Sequence, residues 1–225
     1  MAERHLVTTA VADPWYRLSR RPNAILTTFA QLADNDPDDL DGILATLALV
    51  DPMLRDAQEA YRNLPPADEY RGPYRAIVMT PFVVLGASRF SQGKYGLLYG
   101  GNAFDTAKAE VSYHQTIKLG RSSLPYGTMV QLTSWTFRVR TPLVDIRDNA
   151  SALHDPENYT AAQRFGHSMR EDGQTGIIYR SVRLKTAPGV NVGVLRPLHV
   201  HNVVHGSDWR ILWNGTAISE WLESR

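Results

Sequence analysis

The sequence contains no cysteine, which excludes a disulfide framework, a thiolate nucleophile and a thiolate zinc site. It also lacks a charge excess. The formal net charge is +1, so there is no electrostatic footprint for nucleic acid or a membrane surface. The N-terminus, MAERHLVTTAVADPWYRLSRR, has no apolar core of a signal peptide, and no apolar run reaches membrane-spanning length. These absences lead to the expectation of a cytoplasmic protein with no direct nucleic-acid or membrane partner. Four motifs are missing as well. Without GxGxxG or GxxxxGK[ST] there is no signal for dinucleotide-fold or P-loop phosphate binding, and GxSxG and HExxH are absent too.

HVHNVVH (His199, His201, His205) is the nearest thing to a metal motif. On a strand, His199 and His201 would share a face. No carboxylate or cysteine stands close by in the sequence as a further ligand, so no metal site is expected.

What is present fits a globular chain. Its 225 residues are 43% hydrophobic and 21% charged, enough for one large domain or a domain with an added subdomain. Pro65, Pro66 and Pro73 break the chain between Asn63 and Tyr74. Before the break, Leu40, Ile43, Leu44, Leu47 and Leu54 recur at near-helical spacing behind an acidic start, with Pro52 dividing the run. The expected organisation is an N-terminal helical extension over residues 1–65 and a main domain over 66–225.

After the break the texture turns to short strands. RAIVMTPFVVLGA, GLLYGG and MVQLTSWTFRVRTPLVDI are apolar, β-branched or alternating. Helical patterns return at AFDTAKAEVSYHQTIKL and NYTAAQRFGHSMRED, followed by the strand group TGIIYRSVRL, NVGVLRPLHVHNVV and WRILWNG. Strands mixed irregularly with few helices predict an α+β fold with a mixed sheet and flanking helices.

The informative segment is RFSQGKYGLLYGGNAFDTAKAEVSYHQTIKL, Arg89 to Leu119. On a helix from about Phe104, Ala107, Glu110, Val111, His114 and Ile117 fall on one side. A carboxylate within that stripe needs a partner or a task, because burying a charge is costly. One reading is a salt bridge to a nearby arginine. The other is a pocket at the strand end, where Gly100 and Gly101 turn the chain into a helix N-terminus. In TGIIYRSVRL, read as a strand, Ile177, Tyr179, Ser181 and Arg183 share a face. Tyr95 and Tyr179 are read as packing residues.

These residues resemble the RES domain, a family named for an arginine, a glutamate and a serine. The resemblance runs in order through YRA, SRFSQGKYGLLYGGNAFDTAKAEVSYH, LVDIR, YTAAQRFGHSMREDGQTGIIYRSVR and NVGVLRP, about Tyr74 to Pro197. It implies an ADP-ribosyltransferase-like fold. It implies a toxin of a bacterial toxin–antitoxin pair that acts on NAD+, with phosphate as co-substrate or water as acceptor, and no cofactor. Transfer of ADP-ribose to a protein, or nucleotide binding without catalysis, are the alternatives. The implied partner is a helix-turn-helix antitoxin of the Xre type covering the active site. By the resemblance, Arg89, Glu110 and Ser181 are the catalytic candidates. Arg75, Tyr99, Arg89 and Ser181 are the candidates for holding NAD+ or phosphate, with Arg71 as a rival to Arg75 for the first arginine of the signature.

Overall fold

The computed structural model describes residues 8–9, 14–20, 68–148 and 151–224. These form an α+β fold, as the strand and helix patterns predict. The core is a nine-stranded mixed sheet. In chain order its strands are β1 (Thr8–Thr9), β2 (Trp15–Arg20), β5 (Leu98–Gly101), β6 (Met129–Val139), β7 (Leu143–Asp145), β8 (Gly176–Arg180), β9 (Val190–Val194), β10 (Val200–Trp213) and β11 (Ile218–Ser224). Across the sheet they run β1-β7-β8-β9-β5-β2-β6-β10-β11. The pair β7–β8 is parallel, and the other pairs are antiparallel. A small hairpin, β3 (Ala87–Ser88) with β4 (Ser91–Gln92), stands outside the sheet.

Among the described residues, three α-helices flank it: α1 (Arg75–Val83), α2 (Phe104–Gly120) and α3 (Thr160–Glu171). Strand alternation sorts the core into two faces. On one face Leu98, Phe137, Ile178, Val192 and Val194 pack with Val78, Met79 and Phe82 of α1. On the other, Leu97, Tyr99, Ile177, Tyr179 and Leu195 pack with Ala162, Phe165 and Met169 of α3.

Three sequence expectations change here. RAIVMTPFV forms α1 and not a strand, with Pro81 inside the helix. Its buried residues Val78, Met79 and Phe82 have helical spacing, and burying that stripe outweighs the weak helix preference of Ile77 and Val78. Secondly, Gly100 and Gly101 are not among the residues with positive φ. They are needed for room. A Cβ on Gly100 would meet the Phe137 ring at 2.8 Å, and one on Gly101 would meet the Ala107 amide nitrogen at 2.8 Å.

The third change is β2. Trp15–Arg20 is a strand held between β5 and β6, which draws part of the 1–65 segment into the main sheet. The helices expected around Leu40 to Leu54, and the boundary at residue 65, lie outside the described residues. His199 lies in the 3₁₀ turn Pro197–His199, ahead of the strand that carries His201. Register shifts then separate His201 from Val204 and His205 from Asp208, so the three histidines do not follow one strand period. Among the described residues, no group of three or more histidine, aspartate or glutamate side chains could hold a metal, and no helix is long and apolar enough to cross a membrane.

Candidate active site

Helix α2 begins without a side-chain cap, and Asp105 complements the positive end of its dipole in the first turn. Asn102 fixes where the helix starts. Its Oδ1 accepts from the Thr106 hydroxyl at 3.0 Å and from the Val190 amide at 2.9 Å, which ties the helix entrance to β9. Thr106 and Glu110 are four residues apart and so lie one above the other on the helix face turned toward β9.

Glu110 Oε1 accepts two hydrogen bonds there. Ser181 Oγ donates at 2.8 Å and Asn191 Nδ2 at 2.7 Å. Asn191 is 2% exposed and alternates with Val190 and Val192, so it points to the face opposite α1. The structure therefore joins two of the three catalytic candidates, Glu110 and Ser181. It adds Asn191, which sequence reasoning passed over within NVGVLRP. An asparagine at an inward position of an otherwise apolar strand was the available signal.

Strand β8 ends at Arg180, earlier than the sequence pattern suggested, and Ser181 opens a tight turn. Its amide donates to the Gly189 carbonyl at 2.8 Å. Its hydroxyl oxygen accepts from the amides of Arg183 and Leu184, each at 3.3 Å. A Cβ on Gly189 would come within 3.0 Å of Ser181 Cβ and 3.1 Å of the Thr106 side chain, so any larger residue would press on Ser181 and Thr106. Its one proton is directed to the Glu110 carboxylate, so the hydroxyl serves as a donor that holds that group in place.

Arg89 is 8% exposed. Its Nη1 donates to the Asp155 carbonyl at 2.9 Å and the Leu153 carbonyl at 3.4 Å. The guanidinium lies over the Tyr159 ring, 4.5 Å from its centre, and 5.7 Å from that of Tyr179. Arg183 is held similarly. It stacks on Tyr113 at 3.3 Å and donates to Tyr159 Oη at 3.0 Å, to Glu157 at 3.2 Å and to the Pro156 carbonyl. Two arginines thus fasten the segment 153–159 beside the carboxylate.

The surroundings are electrostatically coupled. Burial pushes the Tyr179 phenol well up, and the charge of Glu110 pushes it further. His114, one turn beyond Glu110, has an edge open to solvent, but desolvation by the surrounding protein lowers its pKa. Arg183 and Arg89 lower it further, against the opposing pull of Glu110. Tyr99 is committed within the protein: its hydroxyl pairs with Ser88 Oγ at 2.9 Å and accepts from the Phe90 amide at 3.3 Å. Burial pushes it up to about 12 despite those bonds.

Arg75 lies elsewhere. It starts α1, on the sheet face opposite Asn191, and is ion-paired with Glu69. Arg71 reaches the same Glu69 at 3.4 Å, with its side chain 75% exposed. The arginine that reaches β5 is Arg17 of β2, whose Nη1 donates to the Tyr99 carbonyl at 3.2 Å. Burial lowers its pKa to about 10, and among the described residues its buried Nε has no partner. Sequence analysis missed it because no strand was expected before the proline break.

A cleft of about 460 Å³ opens on the far side of Ser181. It is bordered by Arg147, Asp148, Arg180, Ser181, Gly189 and neighbouring residues.

Residues 59–214 match the sequence model of the RES domain. The chain belongs to the RES domain family. No curated protein matches it. Among solved structures it is similar to one described as the M. tuberculosis MbcT–MbcA toxin–antitoxin complex. The likeness has 10% identity, covers 88% of this chain and 86% of that one, and has a TM-score of 0.44. The family match includes α2, β8 and β9, and so takes in Glu110, Ser181 and Asn191. Strand β2, with Arg17, lies outside it.

Proposed function

We propose that this RES protein is the toxin of a toxin–antitoxin pair and that it consumes NAD+ at the Glu110 centre. The observation that carries this is the pairing of Glu110 with Ser181 and Asn191. Both neighbours donate to Oε1, which fixes the carboxylate's orientation and leaves Oε2 for a substrate. Cleavage of the nicotinamide N-glycosidic bond passes through a transition state in which positive charge develops on the ribose. A preorganised carboxylate stabilises that charge more than the ground state, and can also accept from a ribose hydroxyl.

The bond between ribose C1 and the nicotinamide nitrogen breaks, and its electron pair neutralises the pyridinium. An oxygen of inorganic phosphate then forms the new bond to C1. The products are nicotinamide and a 1-phosphorylated ADP-ribose, and no metal or cofactor is required. Ser181 acts as a positioning residue for Glu110. Arg89 acts by holding the 153–159 segment and by placing positive charge beside the site. Tyr99 supports the wall from beneath, and Arg17 braces β5 through the Tyr99 carbonyl. A helix-turn-helix antitoxin of the Xre type would restrain the activity by covering this face.

NMR of the purified protein with NAD+, with and without inorganic phosphate, tests the proposal. Phosphate-dependent nicotinamide release with a phosphorylated ADP-ribose product supports phosphorolysis. Release without phosphate selects hydrolysis. Folded, antitoxin-free protein that leaves NAD+ intact would overturn the reading.

A further inference from the structure

The arginines named from the sequence are already engaged. Arg89 and Arg183 hold backbone carbonyls and aromatic rings of the 153–159 segment, and Arg75 lies on the opposite sheet face with Glu69. The cleft beyond Ser181 offers a different pair. Arg147 and Arg180 both border it, with side chains 40% and 61% exposed. We infer that this cleft is the subsite for the phosphate groups of the substrate, with Arg180 and Arg147 as its cations.

Five observations support this, and the inference rests on the NAD+ reading above. The cleft's volume of about 460 Å³ lies within the usual range for small-molecule sites, roughly 300–1,000 Å³. Its wall is continuous with the reacting centre, because Ser181 lines the cleft and hydrogen-bonds Glu110 at 2.8 Å.

Arg147 is preset. Its Nε and Nη2 form a two-pronged contact with Asp145, with Nε at 3.0 and 3.1 Å from the two carboxylate oxygens and Nη2 at 2.6 Å from Oδ2. The Asp145 side chain is 11% exposed. This anchoring fixes the plane of the guanidinium and leaves its Nη1 edge for a multivalent anion such as phosphate.

Arg180 is available. Its partner Asp148, at 2.6 Å, has a side chain 96% exposed. Such an exposed pair is worth little. A doubly charged phosphate outcompetes a single carboxylate that regains full hydration when released. Leu184 and Pro188 supply apolar walls on the same cleft, suited to the face of a sugar or base.

The phosphate could be that of the dinucleotide or the free inorganic phosphate that attacks it, and two titrations separate these sources. Calorimetry of the wild type with ADP, with adenosine and with inorganic phosphate is compared with R180E. K118E, which makes the same charge change at an exposed position on the last turn of α2, serves as the control for general electrostatics. The expected result is that ADP binds at least tenfold tighter than adenosine, that R180E weakens ADP at least tenfold, and that K118E does not.

R180E should also raise the KM for NAD+ at least tenfold. Loss of inorganic phosphate binding in R180E, with ADP no tighter than adenosine, would assign the subsite to the attacking phosphate. Equal binding of all three ligands by wild type and R180E would overturn the inference. Because binding is read without turnover, the two readings fail separately. Arg180-dependent ADP binding without NAD+ cleavage strikes only the reaction. NAD+ cleavage unaffected in R180E strikes only the subsite.

Discussion

Ser181 Oγ stands 2.8 Å from Glu110 Oε1, joining the turn after β8 to the middle of α2. The hydroxyl accepts from two backbone amides and spends its proton on the carboxylate. We propose that this serine aims the carboxylate and does not attack.

Ser181→Ala therefore weakens catalysis without abolishing it. A hydrogen bond to a charged group contributes about 1.5–3 kcal/mol, which corresponds to a loss of roughly 10- to 150-fold in kcat. KM for NAD+ should change less than kcat. Complete loss of nicotinamide release in folded S181A would show that the serine reacts directly.

Glu110→Gln keeps the volume of the side chain and an oxygen that can accept from Ser181 and Asn191, while removing the charge. Its fold, read by circular dichroism, should be unchanged. NAD+ consumption should fall by at least 100-fold, because only the charged form matches a developing oxocarbenium ion. Near-wild-type turnover in this variant would remove the central mechanistic claim.

Asn191→Asp places a second carboxylate where an amide now donates at 2.7 Å. Two like charges at that distance cannot both ionise easily, so one proton is retained between them. The expected outcome is a pH–rate profile whose activity at neutral pH is suppressed and recovers as pH rises. Asn191→Ala, which removes the donor without adding charge, should lose activity without that change of shape.

Much of this arrangement was legible before the fold was known. On α2, Ala107 of the expected stripe is buried and Glu110, Val111 and Ile117 are half-buried, while His114 is exposed, and TGIIYRSVRL brings Ser181 to Glu110. Local pattern and spacing carry both facts. Arg17 and Asn191 were not legible in the same way. Each matters because distant strands meet: β2 lies beside β5 only through the sheet order, and Asn191 meets Glu110 across β9. RAIVMTPFV misled because its β-branched residues favour a strand, while its burial on the sheet favours a helix. Arg89 was legible as important, but its contacts with the 153–159 segment depend on tertiary packing.

The role of Arg89 gives a stability prediction. Arg89→Met leaves the carbonyls of Leu153 and Asp155 without their donor and removes the cation from the Tyr159 ring. Loss of charge-assisted bonds at a buried position costs about 2–4 kcal/mol, equivalent to a fall in Tm of roughly 5–12 °C for a chain of this size. Limited proteolysis should then cut first within 153–159. A variant with wild-type Tm and no new cleavage would free Arg89 from this structural role and return it to substrate binding.

His114 contributes to the acid limb of stability. Its folded-state pKa is lowered by desolvation and by Arg183 and Arg89, and those of His199 and His201 are lowered too, mainly by desolvation. For each, the unfolded chain binds more protons than the folded chain at pH values between the folded pKa and the ordinary value near 6.5. Stability is therefore unaffected by these groups well above pH 6.5 and falls as the pH drops below it. Thermal melts between pH 7.5 and 5 should show that decline, and His114→Gln should make it shallower while leaving the melt at pH 7.5 nearly unchanged. A steeper decline in the variant would mean that Glu110 outweighs desolvation and that the protonated imidazole is the form the fold prefers.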